Sequence, residues 1–448
     1  MDNSPLKKLA AAVLLGVAAI PILLWFLSAR VELAVEPELR VVGIETPVTI
    51  RVNSPYGIRR MTVIAEQDGK RHVMQEERRE ASRLLFWRQD RKRDEFTVIA
   101  GQSRAPELHN GKARLIVEAE SNDLRARITA AAFEIEVNTA PPRVTADSFQ
   151  HYINQGGAEL VVFTPGGYWT DAGVKVGPHT FRSYPLPGAA SGDRFALFAF
   201  SWDVPATTQP TVFASNPGGA EATATFWHKV FPKAFRKRKL EVSDAFMQKV
   251  VPQIGERTEI PPGSLLDRFL WVNRQLRLRN NATLYDLRLK TEERFLWSEP
   301  FVQLSNSKVE SHFADQRSYA YNGRVVDEQV HLGFDLSVTE HVGVTAANSG
   351  KVVFAGDLGI YGNCVVVDHG YGLQSIYAHL SGIDVKEGDM VERRQRLGRS
   401  GATGLAGGDH LHFSMQIDGV QVNPVEWWDA HWIQDRIRTK VPLVAQAQ

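Results

Sequence analysis

Between residues 41 and 137 apolar and polar residues alternate with a period of two. Val48, Ile50 and Val52 form one row, Ala113, Leu115 and Val117 a second, and Phe133, Ile135 and Val137, spaced by Glu134 and Glu136, a third. Residues two apart share a face of a strand, so each row predicts a strand with one face in a core and one in water. Several such strands within about 100 residues predict an Ig-like β-sandwich over 31–140. Residues 76–95 carry both charge signs around Leu84, Leu85, Phe86 and Trp87, which reads as a solvated hairpin or short helix with a buried centre. Thr139-Ala140-Pro141-Pro142 ends the alternation, because consecutive prolines offer a ladder no N–H donors, and marks a domain boundary. A second β-rich domain is expected over 141–240, with strands near 159–164, 195–201 and 222–227. The basic run 233–239 reads as a solvated edge strand.

The period then changes. Ser243 and Ser264 are plausible N-caps, the second ahead of Leu266, Phe269, Leu270 and Trp271 at helical spacing. A short helical segment over 241–300 is expected to pack on whatever follows. From Phe301 β-type runs return at 351–355, 363–368, 373–377 and 410–417, predicting a C-terminal β domain over 301–432 and a tail over 433–448. The expected class is mainly β.

At the other end, residues 9–29 are uncharged, preceded by Lys7 and Lys8 and followed by Arg30. At 1.5 Å per residue such a run just spans a bilayer of about 30 Å, so 1–30 is read as a cytoplasmic tip and a transmembrane helix. The flanking lysines place the remaining chain outside the cytoplasm, in the periplasm or on the wall side. A cleaved signal peptide is the competing reading.

Composition narrows the chemistry. The 52 Lys+Arg against 51 Asp+Glu leave a net charge of +1, which excludes a chain-wide basic field for gripping nucleic acid. The lone Cys364 cannot form an intramolecular disulfide or a cysteine-rich zinc site, and its place in Asn363-Cys364-Val365-Val366-Val367 reads as buried core. A metal would need His and carboxylate ligands. His410 and His412, two apart in a predicted strand, face one space, and His331 and Asp335 can converge through an extended turn at Gly333. Two imidazoles and a carboxylate are the donor set of an open zinc site.

Residues 301–428 resemble the LytM or lysostaphin-type zinc metallopeptidases, the M23 family that cuts peptide bridges in bacterial peptidoglycan. The likeness runs through His331-x-x-x-Asp335, Tyr361-Gly362-Asn363, Asp368-His369-Gly370, Tyr377-x-His379-Leu380, Val385-x-x-Gly388-Asp389-x-Val391, Gly398-x-x-Gly401-x-Thr403-Gly404, His410-Leu411-His412-Phe413 and Val422-Asn423-Pro424. It implies an antiparallel β-sheet catalytic domain with a groove, Zn2+ held by His331, Asp335 and His412, and catalytic work by His379 and His410. It implies a membrane-anchored endopeptidase on peptidoglycan cross-links, its bilayer contact made by residues 9–29. The β domains are candidate surfaces for cell-envelope proteins. A non-catalytic activator of a cell-wall amidase is the rival expectation, although all five site positions are intact, and a secreted protease of ordinary proteins is a third. His369, His341 and His312 are read as structural, exposed and unassigned; Tyr319, Tyr321 and Tyr377 are candidate groove residues.

Overall fold

The computed structural model describes residues 13–16, 18–20, 22, 25–26, 31–36, 39–80, 93–189 and 192–441. Most of the predicted membrane span at 9–29 and the centre of the charged segment 76–95 lie outside these residues. Among the described residues no helix is long and apolar enough to cross a membrane.

The chain divides into two compact units, one of 1–143 with 166–171 and 214–222, the other of 144–165, 172–213 and 223–448. In the first unit Thr46–Asn53 is the middle strand of a three-stranded sheet, between Glu32–Glu36 and Arg93–Ala100. Ile58–Gln67 and Gly111–Ser121 lie inside a five-stranded sheet. Val48, Ile50 and Val52 from one sheet and Ala113, Leu115 and Val117 from the other share one buried core, as period-two patterning requires.

The second unit is larger than the predicted C-terminal domain. Segments assigned to the second β-rich domain, the helical connection and the tail belong to the same compact unit as the C-terminal sheet. Aromatic packing and buried polar contacts are the reason. Tyr371 packs against Tyr184 and Phe195, with ring centroids 4.9 and 4.8 Å apart. Lys440, in the supposed tail, is buried and donates to Glu159 Oε1 (2.9 Å) and Leu160 O (2.7 Å). Composition changes along the chain, while burial runs across those changes.

The elements that carry the site are β1 (Lys237–Glu241), α1 (Asp244–Gly255), α2 (Leu265–Trp271), a π turn (Val272–Leu276) and α3 (Arg277–Asp286). They are followed by β2 (Lys308–Ser311), β3 (Asp315–Tyr321), β4 (Arg324–His331), β5 (Phe334–Ser337), β6 (Gly350–Asp357), β7 (Asn363–Asp368), β8 (Leu373–Leu380), β9 (Met390–Val391), β10 (Leu411–Ile417) and β11 (Val420–Val422). The main sheet runs β2-β5-β10-β8-β7-β6-β9, with β11 beside β10, and a smaller sheet runs β1-β3-β4. The basic run thus ends in an edge strand, β1, parallel to β3.

Ser243 and Ser264 cap α1 and α2 as expected, the second in a reciprocal capping box with Asp267. The helices lie on one face of the main sheet. Val272, Leu276, Leu284 and Leu287 join Cys364, Val366, Ile376 and Ala378 in one apolar cluster. Covered on both faces, β8 and β10 are buried at every position, so their sequences read as continuous rather than alternating. Cys364 is fully buried there, and burial pushes its thiol pKa up, away from reactivity.

Candidate metal centre and groove

His412 stands on β10 opposite Ala378 of β8, and Asp335 of β5 stands opposite His412. His331 ends β4, and Leu332-Gly333 carries the chain across to β5. Gly333 is required by close approach: a Cβ there would lie 2.7 Å from Cε1 and Nε2 of His412. The turn therefore brings the His412 ring against backbone, and the three predicted ligands meet.

Their facing atoms form a small triangle. His331 Nε2 lies 2.9 Å from His412 Nδ1 and 2.9 Å from Asp335 Oδ1, and the last two are 3.2 Å apart. His331 Nδ1 faces the carbonyl of His312 at 3.1 Å, which places its proton there and leaves Nε2 a bare lone pair. Three electron-rich atoms thus converge on one another. A tetrahedral ion with arms of about 2.0–2.1 Å has ligand–ligand edges of about 3.3 Å, so the triangle is close to one face of such a site. The donor set and its spacing fit a zinc-type ion.

Arg317 of β3, which sequence reading missed, completes the cluster by donating from Nη2 to the other carboxylate oxygen, Asp335 Oδ2, at 2.8 Å. That bond leaves Oδ1 for the triangle, the role an outer partner plays for a ligating carboxylate. Burial would raise the Asp335 pKa, but the imidazoles of His331, His410 and His412 outweigh it and hold the carboxyl well below the usual range. Burial pulls His412 down to about 4, so it stays neutral, as a metal ligand must be.

His379 reaches this space by a local irregularity. Gln374, Ile376 and Ala378 of β8 face the helices, so regular alternation would send His379 to the opposite face with Ser375 and Tyr377. The register between β7 and β8 shifts, with Asn363 opposite Leu380 but Val365 opposite Tyr377, and His379 adopts φ +63°. This bulge re-aims His379, placing its ring centroid 4.8 Å from that of His410 and 5.8 Å from that of His412. Its Nδ1 lies 2.8 Å from Thr403 O, so the proton sits there and Nε2 is the free lone pair. Burial, with His410 and His412 nearby, holds its pKa well below the ordinary value.

His410 precedes β10 and bridges to Gly401. Its Nδ1 lies 2.9 Å from Gly408 O and its Nε2 lies 3.4 Å from Asp335 Oδ1. Burial lowers its pKa, but the Asp335 carboxylate more than offsets this and the net direction is upward. All five predicted site residues line one cavity of about 290 Å³, together with Arg317, Tyr319, Tyr361, Arg277 and Asn281.

The remaining candidates separate clearly. His369 is buried, with its ring nitrogens on Ser349 O and Ser375 Oγ, and burial lowers its pKa to about 4. His341 lies on an exposed turn near Ser381 and Asp409. His312 contributes its backbone carbonyl to His331. Tyr319 lines the cavity, whereas Tyr321 bonds Asp244 and Tyr377 is core, its hydroxyl accepting from Ala347 N.

The sequence model of Peptidase family M23 matches residues 329–424, the stretch from the end of β4 past β11. This segment is a peptidase family M23 domain. The chain is 38% identical over 97 residues to the DD-carboxypeptidase/endopeptidase Mpg of Neisseria meningitidis serogroup B, covering 22% of each protein. It is 35% identical over 122 residues to the peptidoglycan DD-endopeptidase ShyA of Vibrio cholerae, covering 27% of this chain and 28% of ShyA. The match thus spans about a quarter of those relatives. Among solved structures, the catalytic domain of the antimicrobial peptidase lysostaphin from Staphylococcus simulans is 25% identical, covering 32% of this chain and 96% of that one at a TM-score of 0.21.

Proposed function

We propose that the chain is a membrane-anchored zinc metalloendopeptidase that hydrolyses the peptide cross-links of peptidoglycan from the extracytoplasmic side. The observation that carries this reading is the triangle of His331 Nε2, Asp335 Oδ1 and His412 Nδ1, with edges of 2.9–3.2 Å, beside His379 and His410. The M23 domain and the names of its relatives support the substrate class. The uncharged run 9–29 supports the anchor.

His331, Asp335 and His412 would hold zinc, and the bound ion would supply Lewis-acid polarisation of the scissile carbonyl and acidify a water near neutral pH. The protein supplies the proton traffic. His379, neutral and with Nε2 bare, takes a proton from the attacking water. His410, whose surroundings favour its protonated form, stabilises the developing oxyanion by a hydrogen bond from Nε2–H and passes that one proton to the leaving amine as the C–N bond breaks. Arg317 keeps Asp335 oriented by one oxygen.

Incubation of the purified full chain with sacculi or cross-linked muropeptides tests the reading. Bridges should be cut with zinc present, and cutting should stop with a chelator or with His410→Ala. Cleavage that survives both treatments would overturn the mechanism. Absence of cleavage under every condition, with amidase activation instead, would return the protein to the activator class.

A further inference from the structure

We infer that Arg277 and Asn281 form a substrate-carboxylate subsite, by which the helical segment selects peptides bearing a free carboxylate beside the scissile bond. This rests on the peptidase reading and adds a specificity determinant from outside the family-matched segment. Both residues lie four apart on α3 and line the cavity that holds the five site residues.

Charge accounting singles out Arg277. Four cavity-lining side chains other than the histidines carry formal charge: Glu241, Arg277, Arg317 and Asp335. Arg317 pairs with Asp335 at 2.8 Å, and Glu241 with Lys239 at 3.0 Å. Arg277 donates only to neutral atoms of Asn273, from Nε to its backbone oxygen at 3.1 Å and from Nη2 to Oδ1 at 2.6 Å. Among the described residues no carboxylate pairs with it. The half-buried guanidinium is held in place at one edge, which leaves the other for a ligand. Asn281 is similarly poised. Its Oδ1 accepts from Tyr361 Oη at 2.9 Å, which fixes the amide so that Nδ2 is left to donate.

The backbone provides an independent pointer. The helix changes to a π turn over Val272–Leu276, and the Arg277 N–H donates back to Val272 O, five residues earlier. Each residue advances a helix by roughly 100°, so one extra residue in a turn re-phases everything after it. The apolar stripe of α2 continues into the core through Val272 and Leu276, while Arg277 and Asn281 come round to the cavity. π turns cost regular hydrogen bonding and recur where side chains are re-aimed for function. A guanidinium and an amide N–H, both donors, with one uncompensated positive charge, suit an anionic carboxylate.

The test uses the full chain and one cross-linked muropeptide in two forms, with its stem carboxylates free or amidated. The wild-type chain should show a KM for the free acid about 10- to 100-fold below that for the amide, the range expected of one charged hydrogen-bonded contact. Arg277→Met should abolish the difference by raising KM for the acid with kcat held, and Arg277→Lys should restore part of it. Calorimetry on the turnover-blocked His410→Ala chain, with and without Arg277→Met, reads the same preference as Kd, and circular dichroism checks folding. Cleavage with equal KM and Kd for acid and amide overturns the subsite alone. Preferential binding of the acid without cleavage by the wild-type chain overturns the peptidase reading and keeps the subsite.

Discussion

Two buried polar clusters in the second unit are built from similar residues and do opposite things. In one, Lys440 Nζ sits among Glu159 Oε1, Leu160 O and His151 Nδ1 at 2.7–3.1 Å, and His151 Nε2 reaches Asp147 at 3.0 Å. A protein cation occupies the middle, so the charges close on themselves. In the other, His331, Asp335 and His412 turn electron-rich atoms toward one point and the nearest guanidinium, Arg317, contacts only the far carboxylate oxygen. The first cluster is a latch for the C-terminal segment; the second points two imidazole nitrogens and one carboxylate oxygen at a common centre, an arrangement suited to a cation. Burial of His and carboxylate therefore says little until the position of the cation is known.

The contrast can be broken most severely at the open cluster. His412→Ala leaves two corners of the triangle, and hydrolysis should fall about 10⁴-fold, roughly 5.5 kcal/mol, with zinc no longer retained in elemental analysis. In the closed cluster, Lys440→Met leaves the fully buried Glu159 with only the longer pairing to Arg436 at 3.9 Å, and should cost about 3 kcal/mol in denaturant unfolding. Lys440→Met combined with Glu159→Met should recover much of that loss, whereas no such pairing rescues His412→Ala.

Another buried carboxylate, that of Glu426, lies between the two regimes. Glu426 accepts from Asn154 Nδ2 and Ala158 N, both at 2.7 Å, yet burial raises its pKa from 4.5 to about 7. The native state then binds more protons than the unfolded chain between these values, so stability should fall as pH rises from about 4.5 to 7. At about 1.4 kcal/mol per pH unit the loss is on the order of 3 kcal/mol, and Glu426→Gln should flatten the slope of unfolding free energy against pH. The smallest effect is expected at Arg317→Met, which frees Asp335 Oδ2. Zinc affinity should drop about 10- to 100-fold in a competition titration with a chromophoric chelator, with the fold intact by circular dichroism.

Much of this was readable in the chain and some was not, for physical reasons. The first-unit strands follow their alternation because one face is wet, as at Val48, Ile50 and Val52. His410 and His412 were legible because position parity in a strand is a local property. His379 was reachable only through resemblance, because parity alone places it on the wrong face and the φ +63° bulge that corrects this leaves no mark in composition. Arg317 and Arg277 were invisible for a similar reason. One meets Asp335 across two sheets, and the other depends on a π turn inside what reads as an ordinary helical stripe. The domain divisions at 240, 300 and 432 followed composition, while one apolar cluster joins Ile254 and Val272 to Cys364 and Ile376 across residue 300.

The helical wall of the groove is tied to the sheet by side chains far away in sequence. Gln416 Nε2 donates to Leu284 O, 132 residues earlier, and Gln374 Nε2 to Leu287 O, 87 residues earlier. Contacts of such separation form late, after the loops they close have been paid for in entropy. The strand that bears Gln416 also bears His412. A chain emerging from its N-terminus therefore has neither a complete triangle of His331, Asp335 and His412 nor a fixed groove until this strand docks.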